Sequence, residues 1–230
     1  MQFRAAKTRK LSPAKYPNYG LDEKHQGLVI DLVHESGRDV PLAKVRFEDG
    51  SISLIPAVLG TKVGSNIQFG LKADISDGNV ISVQNIPDGT IVCNVEKHFG
   101  DGGSLIKSAG TNATVFSHGP DGVTIKLPSG RFSTINPKNR AMIGTLAGGG
   151  IGDRPLMRAG VKWRRFKSKG QKYPIVRGVA QAAYVHPHGG GRHQHVGQSS
   201  TVSRDAPPGA KVGSIAARKT GRARIKERKN

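Results

Sequence analysis

Hydrophobic and polar residues alternate with a period of two in short runs through the first two thirds of the chain. Glycine, aspartate, asparagine and proline separate these runs, a pattern typical of short β-strands joined by turns. The alternation predicts strands at residues 28–34, 43–56, 66–70, 79–86 and 90–96, and again between residues 112 and 137. Three dipeptides ending in glycine predict hairpin turns, because glycine reaches the positive φ that tight turns need. They are Asp49-Gly50, Asp121-Gly122 and Ser129-Gly130.

Two segments of this region are faintly alike, "DGSISLIP" at residues 49–56 and "SGRFSTINP" at residues 129–137. Each could be the outgoing strand of a hairpin in a small barrel of its own, although any turn followed by a strand would look similar. The likeness supports two β modules of roughly 60 to 70 residues each. Small five-stranded barrels of that size commonly bind nucleic acid, and a single larger sandwich is the alternative.

The alternation is lost beyond about Gly144. Glycine or proline recurs every few residues there, and too few apolar positions remain to form a core. Ordering such a chain costs on the order of 1 to 2 kcal/mol per residue in backbone entropy, with no core of its own to offset the cost. We therefore expect residues 144–230 to become ordered only on a polyanion.

Charge is distributed unevenly along the chain. The sequence carries 36 basic and 16 acidic residues, which give a formal net charge of +20 and a pI of about 10.5. Residues 161–230 hold seventeen basic and two acidic residues, so fifteen of the twenty excess charges lie there. Residues 28–90, by contrast, hold five basic and eight acidic residues. This balance favours a polyanionic partner, of which nucleic acid is the leading candidate.

Other classes of protein are disfavoured. No amphipathic helix with a wide apolar face and no apolar run of bilayer-spanning length accompanies the charge, which argues against a membrane partner. Cys93 is the only cysteine, so internal disulfides and multi-cysteine zinc sites are excluded. The basic N-terminus lacks the apolar stretch of a signal peptide. A reduced, cytoplasmic setting is predicted.

Two basic segments are candidates for RNA contact. Residues 162–174 interleave six cations with Trp163, Phe166 and Tyr173. Cations bind phosphates and aromatic faces stack on unpaired bases, so this mixture favours RNA contact over a solvated loop whose aromatic side chains fold back onto a barrel. The tail at residues 216–230 is either a flexible arm that enters a nucleic-acid groove or an unfixed terminus.

Residues 185–197, "VHPHGGGRHQHVG", place four of the eight histidines around three consecutive glycines. A metal site is disfavoured, because the histidines share one loop with no Cys, Asp or Glu between them. Catalysis is disfavoured, because the nearest acids along the chain are Asp153 and Asp205. Adjacent glycines favour a backbone that lies directly against ribose and phosphate, with imidazoles that donate hydrogen bonds or stack on bases.

Several motifs resemble, in sequence order, those of one known family. "IPDGTIVCNVE", "KSAGTNATV", "LPSGRFSTINPKNRAMIGTLAGGG", "RAGVKWRRFKSKGQKYP" and "PIVRGVAQAAYVHPHGGGRHQHVG" are similar to segments of the second universal large-subunit ribosomal protein family. The likeness covers nearly the whole chain. The short N-terminus and the motif "GGGRHQHVG" resemble the archaeal and eukaryotic branch of that family.

This resemblance implies a mainly β fold of two small barrels and a long arm. A basic N-terminal extension (1–27) would precede an oligonucleotide-binding-type barrel (28–88), an SH3-like barrel (89–160) and an extended basic C-terminal arm that binds rRNA (161–230). It implies a structural constituent of the large ribosomal subunit at the cytoplasmic ribosome, and not an enzyme. The family binds large-subunit rRNA early in assembly and supports subunit association, tRNA binding and the architecture of the peptidyl-transferase region. A free RNA-binding translation or RNA-maturation factor is the alternative.

The implied partners are large-subunit rRNA, neighbouring ribosomal proteins and the small subunit, with no membrane. No cofactor and no protein-held metal is expected, apart from structural magnesium that could share the RNA interface. Arg38, Lys107 and Arg140 fall where the family places RNA-contacting cations, and His186 falls at the histidine of its histidine-proline motif. The family often has Asp before that histidine, whereas this chain has Val185, which argues against an acid-assisted histidine.

Taken together, the basic segments, the histidine loop and the resemblance predict a set of RNA-binding residues and no catalytic residue. The set is Arg38, Lys107, Arg131, Arg140, Lys162, Trp163, Arg164, Arg165, Lys167, Arg177, His186, His188, Gly189, Gly190, Gly191, Arg192, His193, His195, Arg204, Arg218, Lys219, Arg222 and Arg224.

Overall fold

A computed structural model describes residues 10–20, 24–218 and 220. Its main element is a sheet of ten short strands, which confirms the predicted mainly β fold class. The strands are β1 (His25–Val33), β2 (Leu42–Phe47), β3 (Ile52–Pro56), β4 (Asn66–Phe69), β5 (Val80–Ser82), β6 (Ile91–Cys93), β7 (Ala113–Gly119), β8 (Gly122–Lys126), β9 (Phe132–Ile135) and β10 (Arg140–Ile143). A 3-10 turn, Val83–Asn85, follows β5 where the alternation predicted continued strand.

The three predicted hairpins are confirmed, one of them with its turn displaced by a residue. Each of the pairs β2–β3, β7–β8 and β8–β9 is antiparallel. Asp49-Gly50 and Ser129-Gly130 lie in their turns, whereas Pro120 and Asp121 join β7 to β8 and Gly122 is the first residue of β8. Gly50, Gly122 and Gly130 all have positive φ. A Cβ on Gly122 would also lie 2.6 Å from the carbonyl oxygen of Ile135, so glycine is needed there for space as well as for conformation.

Strand β10 joins the two halves of the sheet. The strands are hydrogen-bonded in the order β3-β2-β1-β4-β5-β10-β6-β7-β8-β9, so β10 lies between β5 and β6. All four of its residues are buried. Met142 packs in the core cluster around Val45 and Phe69, whereas Ala141 packs in the cluster around Val115 and Ile125. A strand buried on both faces shows no hydrophobic alternation, which is why the sequence pattern did not reveal it.

Two cores therefore lie within the first of the two compact units into which the chain divides, residues 1–173 and 174–230. The first core contains Val29, Val45 and Ile55, and the second contains Ile125 and Ile135. Two cores agree with the expectation of two β modules. The individual barrels and their boundaries remain predictions.

The first unit also contains a helix that the sequence analysis did not predict, α1 (Ala159–Ser168). It has no buried residue and no acidic residue in its first turn, and the side chain of Arg158 does not cap its N-terminus. Arg165 and Lys167 lie in the last turn, where cations interact favourably with the helix dipole. Without a buried apolar stripe, α1 lacks the periodic pattern by which helices are usually found in sequences.

The described part of the second unit, residues 174–218 and 220, has little regular structure. It contains a 3-10 turn (Gly178–Ala180) and two strands of two residues each, β11 (Thr201–Val202) and β12 (Ser214–Ile215), which pair in parallel. None of its described residues is buried. For these residues this agrees with the prediction of no core. The predicted coreless segment began at Gly144, however, and Leu146 is buried in the first core, so that boundary was placed too early. Within the described parts of the chain, no helix is long and apolar enough to cross a membrane.

Candidate nucleic-acid interface

The first unit contains a cleft of about 920 Å³ beside helix α1. Three segments form it: the loop after β1, the chain at residues 151–158, and one side of α1. Six cations and a single acid, Asp39, line the cleft. The cations are Arg38, Arg154, Arg158, Arg164, Arg165 and Lys169. Such an excess of positive charge in a concave surface attracts anions.

Asp39 connects α1 to the loop after β1. The Lys169 Nζ lies 2.6 Å from one carboxylate oxygen of Asp39, and an Arg165 guanidinium nitrogen lies 3.6 Å from the other. Gly37, with a φ of 86°, approaches the C-terminal end of the helix so closely that an added Cβ would lie 2.5 Å from the Ser168 carbonyl oxygen. This turn conformation and the two ion pairs hold α1 in place even though it buries no apolar residue.

The other side of α1 carries aromatic rings covered by cations. The Lys167 Nζ lies 4.6 Å from the centre of the Trp163 ring, and the Lys162 Nζ lies 5.1 Å from that of Tyr173. Phe166 and Tyr173 contact each other, with ring centres 5.5 Å apart. These rings thus pack on their own helix and its following turn. Of these three rings, Trp163 is exposed, at 45%, whereas Phe166 and Tyr173 are partly buried.

Arg140 is a buried structural residue in the described contacts. Its guanidinium makes a two-point pair with Glu96, at 2.7 and 3.1 Å, and donates a third hydrogen bond to the Pro17 carbonyl oxygen. Glu96 also accepts hydrogen bonds from the Arg140 and Gly102 backbone amides. Arg140 lies 5.6 Å from the Tyr16 ring centre. Its predicted role in RNA contact remains a prediction, although the structure turns its charge inward.

Lys107 is likewise engaged within the chain. Its Nζ donates hydrogen bonds to the carbonyl oxygens of Ala14, at 2.8 Å, and Gly103, at 2.7 Å. Partial burial lowers the pKa of this ammonium, and the nearby charge of Arg38 lowers it further. Lys107 therefore connects the segment before β1 to the second half of the sheet, and its RNA contact remains a prediction.

Arg131 is exposed at the turn before β9, next to an exposed aromatic pair. Phe116 and Phe132 lie edge to face with ring centres 4.9 Å apart, and each is more than half exposed. The alternating pattern assigned both phenylalanines to strands but did not indicate that they share a surface, because register decides which residues of neighbouring strands meet.

In the second unit, the histidine loop divides into an inner and an outer pair. His186 and His188 are partly buried, with ring centres 5.0 Å apart, whereas His193 and His195 are exposed. The His188 backbone amide donates a hydrogen bond of 3.1 Å to the His186 Nδ1. Across the described parts of the chain, no three His, Cys, Asp or Glu side chains form a group that could hold a metal ion.

Two of the loop's three glycines are required by the loop itself. A Cβ on Gly189 would clash with the carbonyl oxygens of Gln181 and Ala182, and one on Gly190 would lie 2.8 Å from the Ala183 Cβ. Gly190 and Gly191 also have positive φ. The sequence analysis attributed these glycines to close approach of RNA, whereas the structure supplies an internal reason for Gly189 and Gly190. Contact of the loop with RNA remains a prediction.

The remaining predicted residues lie at the surface or outside the described residues. Arg177, Arg192, Arg204 and Arg218 belong to the second unit and none is buried. Arg177 donates a hydrogen bond of 3.2 Å to the side chain of Gln194. Lys219, Arg222 and Arg224 lie outside the described residues.

The predicted set omitted three cations of the cleft: Arg154, Arg158 and Lys169. Of these three, Arg158 has a signal in the sequence, which is its spacing from other residues of the cleft. Residues 158, 161, 165 and 168 follow one another at intervals of three or four, which places them on one side of a helix. Because α1 was not predicted, the spacing was not recognised as a shared surface.

Comparison with known proteins places the chain in a family. The sequence model described as Ribosomal Proteins L2, C-terminal domain, matches residues 76–224. Two archaeal proteins named large ribosomal subunit protein uL2 are similar over nearly their full length. The one from Cenarchaeum symbiosum is 78% identical over 100% of this chain and 94% of its own, and the one from Nitrosopumilus maritimus is 77% identical over 99% and 94%.

A more distant relative with the same name, from Sulfurisphaera tokodaii, is 47% identical over 96% of this chain and 92% of its own. These relatives are archaeal, in agreement with the branch that the motif "GGGRHQHVG" indicated. A family model that matches well over half of the chain and relatives that cover almost all of it lead to one conclusion: the chain belongs to the ribosomal protein L2 family.

Proposed function

We propose that this chain is a structural constituent of the large ribosomal subunit and binds large-subunit rRNA, which makes it a resident of the ribosome. The observation that carries the proposal is the cleft beside α1, where six cations face one acid and the helix has no buried residue. A cationic helix without acids or a core gains stability when a polyanion neutralises it. The relatives' name, large ribosomal subunit protein uL2, supports rRNA as that polyanion.

The chain acts by binding and not by catalysis in this proposal. Its loop histidines provide hydrogen-bond donors and ring surfaces to RNA, and its glycines define the shape of the loop. Neighbouring ribosomal proteins and the small subunit are further partners, and magnesium ions shared with RNA are the expected cations. We also propose that it supports subunit association, tRNA binding and the architecture of the peptidyl-transferase region, as the family resemblance implies.

The test is binding of the full chain to large-subunit rRNA fragments over a range of salt. Because phosphate contacts release counterions, the logarithm of the affinity should fall linearly with that of salt, by about 0.7 to 0.9 per phosphate neutralised. Replacing Arg154, Arg158 and Arg164 with Gln should weaken binding and make this slope shallower by about 2 to 3. Replacing Lys62, Lys72 and Lys97, which lie outside the cleft, is the matched control. Affinity that does not change with salt would contradict the electrostatic mechanism.

The alternative, a free RNA-binding factor, is separated by fractionation. A structural constituent should sediment with large subunits and remain there after a moderate salt wash. A factor would be recovered mainly in the fraction that contains no subunits, and that distribution would contradict the proposal.

A further inference from the structure

The cleft beside α1 has an apolar lining that phosphate binding does not require. Ile151, Pro155, Leu156, Met157 and Val161 line it together with the cations. Met157 is 86% exposed and Val161 is half exposed, so neither is needed for the core. Phosphates bind to cations and to hydrogen-bond donors, and an apolar side chain offers them neither. An apolar surface inside a cationic cleft therefore indicates a ligand that has a flat or apolar part next to its phosphates.

The cations of the cleft divide into two groups. Arg165 and Lys169 are paired with Asp39, and Arg38 lies 3.3 Å from the Glu35 carboxylate. These three form the walls of the cleft. Another three arginines have no ion pair among the described residues and are exposed, which leaves their guanidinium groups available to a ligand. They are Arg154, Arg158 and Arg164.

The size of the cleft limits the ligand. A volume of about 920 Å³ lies within the range of cavities that take small molecules, so a nucleotide fits inside while a double helix must remain outside. RNA-binding proteins commonly accept single bases that leave the stack and lie against aromatic rings or guanidinium planes. No Phe, Tyr or Trp is found among the lining residues, so guanidinium groups and aliphatic side chains would provide the contact surface.

We propose that this cleft takes one unpaired nucleotide of an RNA strand. The base lies against Leu156, Met157 and Val161, and the phosphates on either side contact Arg154, Arg158 and Arg164. The inference rests on the proposed RNA-binding function and names the feature of the RNA that the cleft recognises. The bound RNA then stabilises helix α1 further through two interactions, phosphate contact at the arginines and base contact at the apolar side chains.

The experiment compares two RNA hairpins with identical stems, one fully paired and one with a single-nucleotide bulge. The full chain should bind the bulged hairpin about tenfold more tightly, because the unpaired base buries apolar side chains of the cleft that the paired hairpin leaves exposed. The double variant Leu156→Asn with Val161→Asn keeps all charges and should bind both hairpins with the affinity that the native chain has for the paired one. Ile75→Asn, an exposed apolar residue outside the cleft, should retain the tenfold preference.

Equal binding of the two hairpins by the native chain would overturn the inference, as would a reduction in the double variant that is the same for both hairpins. If the proposed RNA-binding function is wrong, the result differs, because neither hairpin would bind with an affinity that depends on salt. Photocrosslinking from 4-thiouridine placed in the bulge avoids substitutions altogether. Crosslinks that map to residues 151–169 support the inference, and crosslinks confined to other segments overturn it.

Discussion

The pair formed by Arg140 and Glu96 is the most strongly buried charge interaction described in the chain, with side chains 5% and 0% exposed. Removing one partner of such a pair leaves a buried charge without compensation, which typically costs about 3 to 5 kcal/mol. We therefore expect Glu96→Gln to lower the free energy of unfolding by about that amount, measured by urea denaturation. Asp74→Asn, which removes the acid of the exposed pair with Lys24, should cause no measurable change. Equal effects of the two variants would contradict the structural role of Arg140.

The ring of His186 is positioned by its neighbours in the loop. Because the His188 amide donates to Nδ1, the proton of the neutral ring must lie on Nε2. A Cβ on Gly178 would clash with this ring. Nitrogen-15 NMR of the histidine rings should show the Nε2–H tautomer for His186, and Gly178→Ala should change its signals. Gly209→Ala, at a position with open space, is the control that should leave them unchanged. An Nδ1–H tautomer in the native chain would refute this geometry.

Cys93 lies buried in the first core, and burial raises the pKa of its thiol to about 12. The thiolate is the reactive form, so this cysteine should resist a disulfide reagent at pH 8 until the chain unfolds. The unfolded thiol ionises near its ordinary pKa of 9.0, whereas the folded thiol keeps its proton up to about pH 12. The unfolded state thus binds fewer protons in that interval, and this group makes stability fall as pH rises from about 9 to about 12. Rapid labelling of the native chain at pH 8 would contradict the burial.

At single positions, the sequence indicated which residue types could bind RNA but not which groups each residue contacts in the fold. Arg140 looked like an available cation because its partner, Glu96, is 44 residues away along the chain. The loop glycines looked like a surface for RNA, whereas Gly189 and Gly190 face the backbone and side chain of their own loop. In both cases the deciding contact is tertiary and leaves no local pattern.

Helix α1 has no buried residue, so we expect its stability to depend strongly on the two ion pairs of Asp39. Asp39→Ala should loosen the helix and accelerate amide hydrogen exchange at Ala159–Ser168 by roughly fivefold, since partly exposed pairs contribute at most about 1 kcal/mol. Asp153→Ala makes the same change in charge at a position with no described ion pair, and should not affect exchange in the helix. Added rRNA should restore protection in the Asp39 variant. Unchanged exchange in that variant would show that other contacts hold α1.

Among the elements, strands within alternating runs of apolar and polar residues were predictable, whereas β10 and α1 were not. β1, β2, β4 and β8 have more and less buried positions in turn, so the period of two revealed them. β5 is buried throughout, but it lies within the longer alternating run of residues 79–86. β10 is buried on both faces and α1 on none, so neither has the contrast on which a periodic pattern depends. The cleft was missed for the same reason, because recognising it requires α1.

For the whole molecule, composition was the strongest guide. The charge excess in residues 161–230 predicted a polyanionic partner before any contact was known, and the described residues of the second unit have no core that would give another reason for their composition. Composition could not show which cations stabilise the fold and which are available to a partner. Some, such as Arg140 and Lys107, stabilise the fold, while Arg154, Arg158 and Arg164 of the cleft have no described ion pair and remain available to a partner.

Because the cores and the C-terminal cations lie in different units, removing the second unit should change RNA binding more than stability. Both cores lie in the first unit, and the second has no buried residue among those described, so a fragment of residues 1–173 should unfold cooperatively at nearly the same urea concentration as the full chain. Residues 174–230 carry eleven basic and two acidic residues. Their removal should weaken rRNA binding and make the salt slope shallower by about 0.7 to 0.9 for every phosphate that the fragment no longer neutralises. A fragment that unfolds at much lower urea would show that the second unit stabilises the first. A fragment with an unchanged salt slope would show that the C-terminal cations neutralise no phosphate in the complex.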